Sequence, residues 1–228
     1  MLHGTAATVV LLRDAPDGLQ VLLLERPRHR GSFAGAWVFP GGRVDPEDYG
    51  LPADSVQPTA NDDGELAAAL RAGVRETEEE TGHRLAEPNL VRLSCWEPPP
   101  EAPRRYRTWF FLAEAPEGEI LLSPEEHVDA VWLTPAEAFR RQREESMELY
   151  PPTWVTLHGL LGVETVAAAL AAAGAAAPQT YTTRQLPGQT PPVMVWHGDA
   201  EYPQLPGDPE ARHRLVMGAD GWLYERTL

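Results

Sequence analysis

Apolar positions along this chain fall into short runs separated by turn residues. Val9 to Leu12 and Val21 to Leu24 are unbroken apolar stretches, the pattern of strands buried on both faces. A turn with a proline and a glycine joins them, so 5–13 and 19–26 read as a hairpin. Residues 37–39, 90–96, 105–114 and 128–133 read as further strands. Between 62 and 81 the period changes. Leu66, Leu70, Gly73, Val74 and Thr77 recur at helical spacing, Asp62 and Glu65 fit a capping box, and Gly82 is the stop. Thr134, Pro135 and Glu137 open a second helix that reaches about residue 145. Strands with helices on both faces predict an α/β/α sandwich.

The C-terminal third has a different texture. Residues 152–173 read as one alanine-rich helix. Residues 179–192 read as irregular, and 193–197, 215–217 and 222–225 as short strands, with a hairpin turn at Ala219-Asp220-Gly221. A tail of about fifty residues is too small for its own core. The expectation is a main domain over 1–148 and a helical and short-strand extension, 149–228, packed on it.

Composition narrows the chemistry. A net charge of −15 and a pI near 4.8 argue against nucleic acid or an anionic membrane as partner. The single cysteine, Cys95, excludes a disulfide within the chain and reads as a small buried hydrophobe. No leader-like start or long apolar run is evident, so a cytoplasmic protein is expected.

The densest chemistry lies in RETEEETG, residues 75–82. On a helix, Glu76, Glu79 and Glu80 share one face with about 5–6 Å between Cβ atoms, while Arg75 and Glu78 fall on the outer side. The three acids sit where the helix dipole already favours cations. A divalent ion would relieve the repulsion, and Mg²⁺ typically takes one or two carboxylates plus phosphate oxygens. An acidic run alone is more often a solvated face. Upstream, however, Pro40-Gly41-Gly42 breaks a short apolar strand where backbone can approach a phosphate closely.

Together these segments resemble the Nudix hydrolase family, whose box reads G-x5-E-x7-R-E-U-x-E-E-x-G-U, with U a bulky apolar residue. Gly42 matches the first glycine, and Arg75, Glu76, Glu79, Glu80 and Gly82 match the core in order. Counted from Gly42, the first acid is Asp48. It lies 27 positions before Arg75 where the pattern needs 8, so an insertion, at about 49–64, splits the box. Thr77 and His83 hold the U positions, with His83 expected to be exposed.

The resemblance implies a Nudix-type sandwich with a mixed sheet over roughly 4–146. It also implies Mg²⁺ or Mn²⁺ bound by Glu76, Glu79 and Glu80, and Arg75 as an orienting partner. The activity it implies is hydrolysis of a diphosphate linkage in a small nucleoside diphosphate derivative. Glu79 or Glu80 is the first choice for general base, with Glu125 and Glu126 as later-loop candidates. Homodimers are common in the family. A split box is similar to the coenzyme A diphosphatase branch, although the arginine expected there falls on Gly31, with Arg30 one place early.

Two basic clusters stand out in so acidic a chain: Arg26, Arg28, His29 and Arg30, then Arg104, Arg105 and Arg107. Arginine pairs bidentately with phosphate, so Arg26 and Arg105, with Gly41 and Gly42, are the candidate substrate contacts. Trp196, His197, Asp199, Tyr202 and His213 in the tail read as structural rather than as a metal or acid–base site. The alternative to an enzyme is a Nudix-fold protein that senses a nucleotide without cutting it. Such proteins usually lose the box glutamates, which are kept here.

Overall fold

The two long apolar runs form β1 (Gly4–Ala15) and β2 (Gly18–Glu25), paired antiparallel from Ala15↔Gly18 to Leu12↔Val21. The computed structural model describes residues 1–28, 34–55, 62–123, 125–203 and 208–227. His29, Arg30, Gly31 and most of the loop-like insert, with the Asp62 side chain, lie outside the described residues.

Around the hairpin the chain adds β3 (Trp37–Val38), β4 (Gly41–Arg43), β5 (Val91–Glu97), β6 (Tyr106–Glu114) and β7 (Asp129–Leu133). The helices are α1 (Asp62–Thr81), α2 (Pro135–Arg143), α3 (Pro151–Gly159) and α4 (Val166–Ala175). β8 (Gln179–Thr182) completes the main sheet, whose path is β3-β2-β1-β6-β5-β8, with β4 on β1 and β7 on β2. β1 and β6 run parallel, as do β5 and β8, and the remaining pairs are antiparallel, so the sheet is mixed. A smaller sheet follows, with β9 (Arg184–Gln185), β10 (Val193–Val195), β11 (Arg212–Gly218) and β12 (Gly221–Thr227) in the order β12-β11-β10-β9.

Successive side chains of a strand point to opposite faces, and β1 feeds two cores that way. Ala7, Val9 and Leu11 pack with Ala68, Ala69 and Ala72 of α1. Val10 and Leu12 pack with Phe139 of α2, Trp154 and Leu157 of α3 and Val166 and Ala169 of α4. Helices thus cover both faces, an α/β/α sandwich.

Several expectations change. Gly41 to Arg43 is a strand on β1 and not only a turn, because Thr8, Ala7 and Ala6 take it up in antiparallel register. The alanine-rich segment is two helices. Thr165 caps α4 through Ala168 N–H at 3.2 Å, and the Asp14 carboxylate accepts from Val166 N–H at 2.8 Å, so α4 has its own start. Part of 179–192 is ordered as β8 and β9. Tyr181 of β8 stacks on Trp96 of β5 with ring centroids 3.8 Å apart, an apolar reward that overrides the polar local sequence. The Glu65 carboxylate accepts from the Trp109 indole at 2.8 Å and lies 3.6 Å from Arg107, while the Asp62 side chain, its expected capping-box partner, lies outside the described residues. His83 is buried, not exposed.

Candidate active site

Two adjacent glycines bring a strand against the acidic end of α1. At Gly41 φ is +153°, and a Cβ would meet the Ala7 carbonyl oxygen at 2.2 Å, so only glycine fits there. Its N–H donates to Glu80 Oε2 at 2.8 Å. At Gly42 a Cβ would stand 2.3 Å from the Glu76 carboxyl carbon. The missing side chain is the space that Glu76 occupies.

Arg75 ties the box together across its insertion. Its guanidinium donates to Asp48 at 2.8 Å, Glu76 at 2.9 Å, Glu79 at 3.3 Å and the Arg43 carbonyl at 3.0 Å. Burial opposes its charge, but the Asp48 hydrogen bonds and the Glu76 charge overcome that, holding the guanidinium further above its ordinary value. Arg75 therefore curls over the acidic face, whereas the helical wheel puts it on the outer side. Glu78 does face outward, paired with Arg84 at 2.7 Å. Asp48 sits buried at the end of a short 3-10 helix (Pro46–Tyr49) and also accepts from Asp45 N–H at 2.8 Å.

A second loop closes on the same acids. The last carbonyls of α1 need donors, and Leu121 N–H and Ser123 N–H supply them, to Thr81 O at 2.9 Å and Glu80 O at 3.3 Å. Glu126 and His127 N–H then fold back on Ser123 O, and Val128 N–H reaches Glu25 O. This pinning places Glu126 and His127 over Glu80, with one ligand atom of each residue within 4.8 Å of the others.

The electrostatics follow from crowding. Burial pushes the Glu80 carboxyl up to about 8; the Gly41 N–H opposes this, Glu76 and Glu126 reinforce it and Arg26 opposes it. Burial also raises Glu76, against the pull of Arg75, with Glu79 and Glu126 adding to the rise. His127 is pushed down to about 4 by burial and by the charge of Arg26, so it is neutral near pH 7. Carboxylates this close repel until a proton or a cation sits among them. Oxygen donors of this kind fit a divalent ion.

The other anticipated residues divide. Glu79 is more than half exposed at the rim. Arg26 faces Glu80 and His127 electrostatically. Arg105 donates to the Pro98 carbonyl at 3.1 Å, and its neighbour Arg107 pairs with Glu97 at 2.8 Å. Arg28 pairs with Glu25 at 3.3 Å. Glu125 is exposed and outside the convergent group. In the tail, buried Asp199 accepts from His213 N–H and Arg214 Nε, both at 2.8 Å, a hydrogen-bonded anchor for β11. His127 carried no signal in the sequence beyond its place next to Glu126.

The fold and this acidic cluster define a pyrophosphohydrolase. A family model described as NUDIX domain matches residues 2–152, and the chain belongs to the Nudix hydrolase family. Among solved structures, a NUDIX hydrolase from Alicyclobacillus acidocaldarius superposes with a TM-score of 0.63 at 23% identity, covering 75% of this chain and 96% of that one. A MutT NUDIX hydrolase from Burkholderia pseudomallei gives 0.46 at 24% identity, covering 68% and 95%. No curated protein matches the chain. Among the described residues no helix is long and apolar enough to cross a membrane.

Proposed function

We propose that the protein hydrolyses the diphosphate linkage of a small nucleoside diphosphate derivative, with Mg²⁺ or Mn²⁺ as cofactor and coenzyme A as the first substrate to test. One observation carries this reading: Glu76, Glu80 and Glu126 crowd together beside Gly41 and Gly42, and the buried Glu80 carboxyl is driven up to about 8. Glu76 and Glu80, with Glu79 at the rim, would hold the ion. When bound, such an ion neutralises diphosphate oxygens and lowers the pKa of a coordinated water.

The remaining work falls to the chain. Arg75 and Asp48 fix Glu76 and Glu79 in place. The exposed Glu79 carboxylate, 3.3 Å from Arg75, takes the proton of the attacking water. Arg26, next to Glu80, supplies positive charge for the substrate phosphates, and Arg105 is assigned a contact with a more distant part of a longer substrate. Positioning and charge neutralisation are most of what phosphoryl transfer asks of a protein.

In this reading 1–148 is the hydrolase unit, the insert at about 49–64 is a loop within it, and 149–228 is an extension packed on it. The setting is cytoplasmic, which the single buried cysteine supports. A homodimer is the assembly to check by light scattering. The test is a panel of diphosphates, including coenzyme A, ADP-ribose, dinucleotides and nucleotide sugars, assayed with Mg²⁺. Native protein should cleave at least one, and Glu79→Gln should lose at least about a hundredfold, the usual scale for removing one electrostatic contact to a transition state. Tight nucleotide binding without turnover across the panel would favour the sensor instead.

A further inference from the structure

The Glu80–Glu126–His127 group contains an imidazole that makes no hydrogen bond among the described residues. The His127 side chain is 1% exposed. Its Nδ1 has no hydrogen-bond partner among the described residues. Its Nε2 lies 3.6 Å from Glu80 Oε1, too long for a hydrogen bond. Buried polar atoms are nearly always satisfied, and a core histidine held for packing would have at least one nitrogen engaged. Here the ring instead holds Nε2 3.6 Å from Glu80, and one of its nitrogens lies within 4.8 Å of carboxylate oxygens of both Glu80 and Glu126. Two ligand atoms on one first-row ion, each bonded at about 2.1 Å, can stand up to about 4.2 Å apart, and the 3.6 Å gap falls inside that span.

We propose that His127 supplies a nitrogen ligand, beside Glu80 and Glu126, to the divalent ion of this pocket, so that the site prefers Mn²⁺ or Co²⁺ to Mg²⁺. Co²⁺ takes imidazole readily and Mn²⁺, the most oxygen-preferring ion of the first-row series, takes it less strongly, but both accept nitrogen where Mg²⁺ takes oxygen ligands almost exclusively. Glu126 reaches the group through the loop pinned on the α1 carbonyls, so the third ligand comes from outside the box that carries Glu76, Glu79 and Glu80. The inference rests on the proposed function only for the pocket being a metal site; it makes no claim about which bond is cut.

The test uses the full chain loaded with Mn²⁺ alone and read by electron spin-echo modulation. Native protein should show a directly bound ¹⁴N coupling that changes on ¹⁵N-histidine labelling. In His127→Gln, confirmed as folded by circular dichroism, that coupling should vanish. The Mn²⁺ affinity should fall by at least tenfold while the Mg²⁺ affinity changes by less than threefold. An oxygen-only spectrum in native protein, a coupling that persists in the variant, or no Mn²⁺ binding at millimolar concentration overturns the proposal. Hydrolysis of the diphosphate panel with Mg²⁺ is scored separately. An oxygen-only spectrum in a protein that hydrolyses diphosphates removes the nitrogen ligand and leaves the activity standing, and a nitrogen-bound ion in a protein without turnover does the reverse.

Discussion

The Glu76 carboxyl carbon lies 2.3 Å from the point that a Cβ at Gly42 would occupy. Position 42 is therefore glycine for the sake of another residue's side chain. Its backbone is not in the left-handed region, so alanine there is conformationally acceptable. Gly42→Ala should keep the fold and displace Glu76, lowering kcat/KM by about a hundredfold, the scale of an ångström-sized misplacement in an active site. Gly41→Ala behaves differently. Its methyl would strike the Ala7 carbonyl at 2.2 Å, so β4 must separate from β1 and thermal stability should fall as well. Circular dichroism melts alongside kinetics tell the two apart.

Asp48 and Arg75 hold a split motif together. The pair meets at 2.8 Å with Asp48 buried and Arg75 less than one-third exposed. Breaking a buried pair from one side costs about 3–5 kcal/mol, and the partial exposure of Arg75 brings the expectation down to about 2 kcal/mol for Asp48→Asn. A double-mutant cycle with Arg75→Met, followed by urea unfolding, should return a coupling of about 1–2 kcal/mol. Additivity would mean that the insert does not need this clasp.

The metal-free protein should grow less stable as pH rises. Unfolded, Glu80 titrates near its ordinary value of 4.5; folded, near 8. Between the two values the native state keeps a proton that the unfolded chain has released, so stability falls across this window and levels off above it. Glu80→Gln removes that penalty. In EDTA at pH 9 the variant should be more stable than native protein by about 2–4 kcal/mol, and at pH 4 the two should nearly coincide. Added Mg²⁺ at pH 9 should stabilise native protein far more than the variant. A variant less stable than native at pH 9 would show that Glu80 is not charged at a cost.

The extension is woven into the main core. Trp154, Leu157, Val166, Tyr181, Trp196 and Leu215 share one apolar cluster with Val10, Leu12 and Leu23, and β8 pairs with β5 over Ser94↔Gln179 to Glu97↔Thr182. Removing 149–228 uncovers that face and the β5 edge, so residues 1–148 alone should aggregate or melt without cooperativity. A monomeric, cooperatively folding fragment would make the extension a separate unit.

The sequence made some of this legible and hid the rest for identifiable reasons. Val9 to Leu12 and Val21 to Leu24 are buried on both faces, so no register was needed to recognise them as strands. Glu76, Glu79 and Glu80 carry their face in their spacing, and counting from Gly42 located Asp48 across the insert. Arg75 misled because the wheel fixes where Cα points, while a long guanidinium can curl back over its own helix. Tyr181 gave little sign of a strand because the partner that rewards it, Trp96, is remote in sequence. His127 was invisible because its position depends on a loop closing on the last carbonyls of α1, a tertiary event with no local pattern. Arg105 was conspicuous by charge, yet its partner is a backbone carbonyl, which sequence does not display.

The decisive measurement is anomalous diffraction at the manganese edge from crystals grown with Mn²⁺ and a slowly cleaved diphosphate analogue. If Glu76 and Glu80 hold the ion, a peak lies within about 2.5 Å of their carboxylate oxygens, touching the analogue's phosphates. Ordered analogue with no manganese at those carboxylates, or manganese bound only elsewhere on the protein, would contradict it.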